Sequence, residues 1–355
     1  MKDLDRAKGF ANLSSEELRI LETGGLEIEQ ADRMIENAIG IIRIPIGIVE
    51  RIVVNNRNYR VPMATEQKGI IAAVNKAAEW TLSKGGFKAF STKSIMIGQI
   101  QIIVVTDLQK AKQQLFSHKN RILDLANTQS TTRRAIDIKV KTLKTPTGVM
   151  LIVELLVDVK DSMGANVVDS MVETVSPYIE SLVGGKANLR IVSNLATKRM
   201  VHVETEIKKE VIGEDIVDRI VTACVFAETD PFRAATHNKG IMNGVSAVLL
   251  ATGNDTRAVE AGAHAYASLS SRYLPLSTWQ KTSGGDLKGC LRMPMAVGIV
   301  GGATSAHPIA RIALKILGVK SAQELGQVAA SVGLAYNLVA LHALVTKGIS
   351  RAQSI

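Results

Sequence analysis

The chain has 355 residues, enough for two domains, and its 46% hydrophobic but only 4% aromatic content points to a core of Ile, Val, Leu and Ala. A net charge of +10 suits polyanionic partners, but Lys and Arg are scattered and rarely interleaved with aromatics, which argues against a nucleic-acid face. A phosphorylated cofactor explains the excess better than the plainer alternative, a protein that is merely basic. Cys224 and Cys290 lack redox or metal-ligand spacing and the six histidines are dispersed, so neither a disulfide framework nor a metal site is expected. No signal pattern opens the chain and no apolar run is read as approaching the ~18 residues of a membrane helix, so a cytoplasmic protein is expected.

Ser14-Ser15-Glu16-Glu17 is a capping box ahead of Leu18 and Leu21, and Gly24-Gly25 closes this short helix. A second helix is predicted from Ile28 to Ile39, followed by β-rich sequence bent at Pro45 and Gly47. Val61 to Thr65 leads into a helix with Ile70, Ile71, Ala73 and Val74 on its apolar stripe, ending near Gly85-Gly86. From Ser94 a compact α/β insert begins: a strand at Ile95 to Val105, a helix at Leu108 to Asn127, and a long buried strand at Val149 to Val159. Asp161 to Asn166 (DSMGAN) then opens the helix carrying Val168, Met171, Val175 and Ile179. Such a strand-glycine-turn-helix offers free N–H groups and a helix dipole to a phosphate. The pattern G-x-G-x-x-G is absent, which disfavours an ordinary Rossmann domain. Further on, Gly301-Gly302 lets backbone approach a ligand or a neighbouring subunit. Helices follow at Pro308 to Leu317, at Ser321 to Val332 with a second capping box (Ser321, Glu324), and at Leu334 to Lys347 before Gly348.

The stretch Asp230 to Asp255 sets one lysine among small, apolar and amide side chains. His237, Asn238, Gly240, Asn243 and Gly244 leave little bulk near Lys239, so a substrate carbonyl can approach its ammonium. Gly244 to Ala251 is an apolar run of strand length, which leaves Asp255 to be brought to Lys239 only by tertiary folding. Two readings stand: Lys239 as an electrophile held by Asp255, or Lys239 as a helix cap with Asp255 starting the next helix.

Five separated motifs in order give a resemblance over nearly the whole chain: ENAIG at 36–40, DSMGAN at 161–166, RAATHNKGIMNG at 233–244, TGND at 252–255 and GGAT at 301–304. Together they resemble the soluble, class II form of 3-hydroxy-3-methylglutaryl-coenzyme A (HMG-CoA) reductase. The resemblance implies a mixed α/β fold, with a large substrate and dimerisation domain from residues 1–93 and 194–347. A non-Rossmann cofactor domain at 94–193 is inserted in it, and residues 348–355 are the remnant of a C-terminal flap. It implies homodimers with active sites at the subunit interface, no membrane or nucleic-acid partner, and no metal. It also implies the reaction, in which two hydrides from a nicotinamide cofactor reduce the thioester to mevalonate and coenzyme A through hemithioacetal and aldehyde stages. By matching position, Lys239 is the oxyanion stabiliser and Asp255 holds its ammonium. Arg233, Thr236 and Asn243 contact substrate, and Met163, Gly164, Ala165, Asn166 and Asn194 contact the dinucleotide.

The sequence departs from that pattern at proton donors. Gln67 stands where the family has its catalytic glutamate, and Gly69 where a serine follows; an amide cannot give up a proton as a carboxyl group does. Glu66 is adjacent, but neighbouring side chains in extended chain point opposite ways. Gln353 replaces the histidine that protonates the departing thiolate, Ala11 an arginine, and Tyr336 a glutamine near the cofactor. Two functions are therefore carried: a reductase with altered proton delivery, and a non-catalytic paralogue that binds coenzyme A or nucleotide or pairs with an active subunit. For the cofactor, Ser130 stands where NADH-preferring members place an aspartate, with Arg133 and Arg134 following. Hydroxyl and guanidinium groups suit a 2′-phosphate, which favours NADPH over NADH unless this is an ordinary solvated loop.

Overall fold

In the computed structural model residues 11–348 are described, so Gln353 and the turn before it lie outside them. Helix α1 (Ser15–Thr23) carries the predicted capping box, Ser14 and Glu17 exchanging bonds of 2.7 and 3.2 Å, and ends on Gly24 in left-handed conformation. Helix α2 (Ile28–Met34) stops short of the predicted Ile39. Strands β1 (Ile46–Val54) and β2 (Arg57–Ala64) form a hairpin, with Asn55 and Asn56 at positive φ in its two-residue turn, a geometry asparagine tolerates. Helix α3 (Ile70–Thr81) and β3 (Phe87–Ser91) follow, then β4 (Ile95–Ile103), α4 (Leu108–Ser117), α5 (Lys119–Asn127), β5 (Arg134–Thr145), β6 (Gly148–Asp158), α6 (Ala165–Val183) and β7 (Lys186–Ser193). The chain continues through β8 (Met200–Ile207), α7 (Lys209–Ile212), α8 (Glu214–Thr229), α9 (Pro231–Ala251) and α10 (Thr256–Ala267). It closes with β9 (Ser277–Lys281), β10 (Leu287–Pro294), α11 (Gly302–Ala306), α12 (Pro308–Leu317) and α13 (Ala322–Val345).

Two sheets result, in a mixed α/β architecture. One has the order β2-β1-β3-β8-β10-β9, antiparallel except where β1 meets β3, and the other is β5-β6-β4-β7, antiparallel throughout. Each has its own core. In the smaller, Met96 and Ile100 of β4 and Val153 and Leu155 of β6 meet Val168, Met171, Val175 and Ile179 of α6. In the larger, α13 lies against α9, α3 and strands β3 and β8.

Helix α13 corrects two expectations. It is one helix rather than two, and by length and apolar composition it passes for a membrane span, although no apolar run of that length was expected. Gly333, read as a break, instead lies where α13 crosses α9: a Cβ there would come 2.6 Å from Val245, and one on Gly244 would come 2.8 Å from the Val332 carbonyl. Most of the helix is buried, which explains a sequence apolar on every side. The second capping box is half formed: Ser321 accepts from the Glu324 N–H, but the Glu324 carboxylate turns to Lys320 N, Arg57 and Tyr59. The helix predicted at Leu108 to Asn127 is two helices meeting at His118. Strand β5 is absent from the predicted elements: its outer half, Lys139 to Lys144, is largely exposed and carries Lys139, Lys141 and Lys144, so no buried stripe marks it.

Candidate active site

The run from Gly244 to Ala251 is the second half of helix α9, not a strand. Asp230 caps the helix through the Arg233 N–H at 3.1 Å and Pro231 pre-sets its first turn. Helical spacing then does what the strand reading could not. Arg233, Thr236, Lys239 and Asn243 recur every three or four residues, so they line one face over about 15 Å. Thr236 and Lys239 are exposed, while Arg233 and Asn243 are half-buried. The opposite face buries Ala234, His237, Ile241, Val245 and Val248.

Two cations on this face lack counter-ions. Lys239 has no hydrogen bond or ion pair from its ammonium among the described residues, and neither has the Arg233 guanidinium. Partial burial holds the Arg233 pKa below its ordinary value, so the unpaired charge carries a real desolvation cost. Asn243 donates from Nδ2 to the hydroxyl of buried Tyr336 at 3.4 Å.

Behind the row lies a buried network that the sequence reading missed. His237 Nε2 lies 2.6 Å from Ser277 Oγ, and Ser277 Oγ and Trp279 Nε1 donate to Asn337 Oδ1 at 2.9 and 2.8 Å. Asn238 bonds the backbone at Leu274 and Leu276. Desolvation, then the Arg233 charge, depresses the His237 pKa to about 3, so this ring is neutral and acts as support rather than as a proton donor. Single residues on β9 and α13 leave no sequence pattern that would pair them with His237.

Asp255 caps α10 through the Ala258 N–H at 3.0 Å and lies 3.7 Å from Arg257 Nε, and no bond joins it to Lys239 among the described residues. Its loop does meet another motif: Thr304 Oγ1 donates to the Gly253 carbonyl at 3.3 Å. Gln67 is half-buried after β2, its N–H donating to Thr65 Oγ1 at 3.2 Å, while Glu66 is exposed. Gly69 caps α3 at φ +85°, a conformation that suits glycine better than serine.

The remaining predicted residues gather at one end of the four-stranded sheet. Its register pairs Arg134 with Asp158, Ile95 with Asp158, and Ile97 with Ser193. The loop Ser130–Arg134, the turn Asp161–Asn166 and Asn194 therefore lie at the same end of the strands. Gly164 caps the 19-residue α6 at φ +97°, and a Cβ there would come 2.4 Å from Val159. No side chain caps this helix, so its first N–H groups stay available to an anion. Ser130 Oγ accepts from the N–H groups of Thr132 and Arg133 at 3.3 and 3.0 Å. The Arg133 guanidinium donates to Thr132 Oγ1 at 3.1 Å and has no ion pair among the described residues, and no carboxylate stands between residues 128 and 134. Open amides, two guanidinium groups and hydroxyls, with the Asp158 carboxylate engaged by Lys160 and that of Asp161 by the Ala322 N–H, form a donor set that fits a phosphorylated dinucleotide.

The chain matches the family model described as hydroxymethylglutaryl-coenzyme A reductase over residues 4–354. It is 47% identical to the 3-hydroxy-3-methylglutaryl-coenzyme A reductase of Archaeoglobus fulgidus over 98% of this chain and 81% of that protein. It is 33% identical to a probable reductase of the same name from Borreliella burgdorferi, over 90% of this chain and 75% of that one. A solved structure of the class II enzyme from Streptococcus pneumoniae, bound to NADPH in open conformations, superposes with a TM-score of 0.93 at 37% identity, covering 97% of both chains. The chain belongs to the hydroxymethylglutaryl-coenzyme A reductase family.

Proposed function

We propose that this chain reduces HMG-CoA to mevalonate and coenzyme A with NADPH, using the face of α9 for substrate and the Ser130–Asn166 end of the smaller sheet for the dinucleotide. The observation that carries the substrate half is the unpaired Arg233 and Lys239 on one helix face. Arg233, half-buried without a counter-ion, suits the substrate carboxylate by charge-assisted hydrogen bonds. Lys239 suits the thioester oxygen, where negative charge develops, and Asn243 and Thr236 add orienting donors and acceptors beside it. NADPH, when bound, supplies hydride. The open amides of α6 take its pyrophosphate, and Arg133 and Arg134 with Ser130 take the 2′-phosphate. The dinucleotide seen in the pneumococcal relative supports that choice.

The active unit is a homodimer in which a second copy completes the site around Lys239. Supporting this, Ile39 and Ile42 in and beside ENAIG are 102% and 90% exposed, an arrangement that an isolated chain leaves in water. The same reading divides the chain into a large domain at 1–93 and 194–347 and a cofactor insert at 94–193, in the cytoplasm.

A second reading rests on Gln67: with an amide at the proton-donating position, the chain binds both ligands without turnover, as a partner of an active subunit. Single-turnover oxidation of NADPH in the presence of HMG-CoA, followed by absorbance, separates the two. A fall in absorbance that Lys239→Ala abolishes supports the reductase; calorimetric binding of both ligands with no oxidation supports the non-catalytic partner.

A further inference from the structure

Arg199 lies where the chain crosses from the smaller sheet back to the larger, between β7 and β8, and only 4% of it is exposed. No ion pair joins it to a carboxylate among the described residues. Its guanidinium is spent instead on backbone. Nη1 donates to the carbonyls of Ser162 and Met163, both at 3.1 Å, and Nη2 donates to the carbonyl of Val297. Burial lowers its pKa to about 10, which leaves it charged at neutral pH.

The turn that Arg199 grips is the one that opens α6. Because the peptide bond is planar and trans, the Gly164 N–H points opposite to the Met163 carbonyl, away from Arg199. The same turn is held from two other sides. The Ile299 N–H donates to the Asp161 carbonyl at 2.9 Å, and the Ala322 N–H at the start of α13 donates to Asp161 Oδ1 at 2.8 Å. Gly298 fits between them only without a side chain, since a Cβ would come 2.6 Å from Met163 N. Its own N–H donates to Asn254 Oδ1 at 2.7 Å, one residue before Asp255. A continuous set of bonds thus runs from the start of α6 through Arg199 and residues 297–299 to the loop that follows α9.

We propose that Arg199 is a positioning residue for dinucleotide binding: it shapes the Asp161–Gly164 turn so that the first amides of α6 face the ligand, and clamps that turn to the half of the molecule that carries Lys239. This rests on the dinucleotide assignment made above. A guanidinium that merely filled space would affect both ligands alike; one that shapes the turn affects the dinucleotide selectively.

The test uses the full chain with Arg199→Lys and Arg199→Ala, measuring NADPH and HMG-CoA affinity separately by calorimetry, with thermal melts alongside. Lysine keeps the charge but lacks the planar fork whose two nitrogens span these carbonyls. The expected result is NADPH affinity lowered about tenfold or more in both variants, with HMG-CoA affinity held within about twofold. Millimolar guanidinium should restore NADPH affinity to Arg199→Ala and leave the wild type unchanged. If Arg199→Ala does not fold, the selective loss in Arg199→Lys carries the test. Unchanged NADPH affinity in the variants, or equal weakening of both ligands, overturns the proposal. A wild-type chain that binds HMG-CoA but no dinucleotide removes the assignment of the turn itself, and Arg199's role with it.

Discussion

The substrate face of α9 and the cofactor end of the smaller sheet are built on opposite plans. On α9 one continuous segment supplies the chemistry through side chains, with charges left unpaired on one side and a hydrogen-bonded network behind. At the sheet end three separate stretches converge, and much of the binding capacity is backbone N–H. A side-chain site is removed by changing one residue, whereas a backbone site is retuned by whatever shapes it.

The largest effect should therefore come from α9. Lys239→Ala is expected to lower single-turnover reduction by about 10²–10³-fold, the usual cost of removing one donor to a developing oxyanion. HMG-CoA affinity, measured by calorimetry, should change far less. Equal loss of binding and rate would make Lys239 a ground-state contact and weaken the contrast. Next in size is a gain: Gln67→Glu restores a group able to donate a proton, and a rise of about 10²-fold in turnover is expected where proton delivery limits the rate. No gain, with both ligands bound, would favour the non-catalytic partner.

At the cofactor end the expected change is smaller. Ser130→Asp places a carboxylate beside Arg133 and Arg134, repelling a 2′-phosphate and accepting from a ribose hydroxyl. NADPH affinity should fall and the preference for NADPH over NADH should shrink by about tenfold, as read from paired dissociation constants. An unshifted ratio would make the 130–134 loop ordinary surface.

The two plans also explain what was legible in sequence. Lys239, Arg233, Thr236 and Asn243 come from a contiguous motif, but their alignment on one helix face does not, because the run GVSAVLLA from Gly244 has the length of a strand. Gly244 serves the crossing with α13, a tertiary cause invisible in local periodicity. Gly333 misled in the same way and divided α13. Gly164 was legible because strand, glycine and helix follow one another in the chain, whereas Arg199, thirty-five residues on, touches the turn only through tertiary folding. His237 stands out in sequence as a neighbour of Lys239, but Ser277 and Asn337 lie 40 and 100 residues from His237 and carry no pattern.

The smallest effect at neutral pH, and the sharpest test of the support behind α9, concerns His237. Its pKa falls from 6.5 to about 3 because burial, and then Arg233, disfavour the charged ring. Between those values the unfolded chain binds a proton that the folded chain refuses, so stability rises with pH across the window. The contribution is complete above about pH 6.5 and is lost as pH falls towards about 3. His237→Gln removes the titration while leaving an amide near Ser277. Urea unfolding at about pH 7 and about pH 4.5 should show a smaller loss of stability on acidification in the variant than in the wild type. Equal losses would mean that His237 reaches solvent and protonates freely in the folded state. The network behind Lys239 would then be too loose to hold the substrate face, and the contrast between a preorganised helix face and a shaped backbone turn would fail on its helix side.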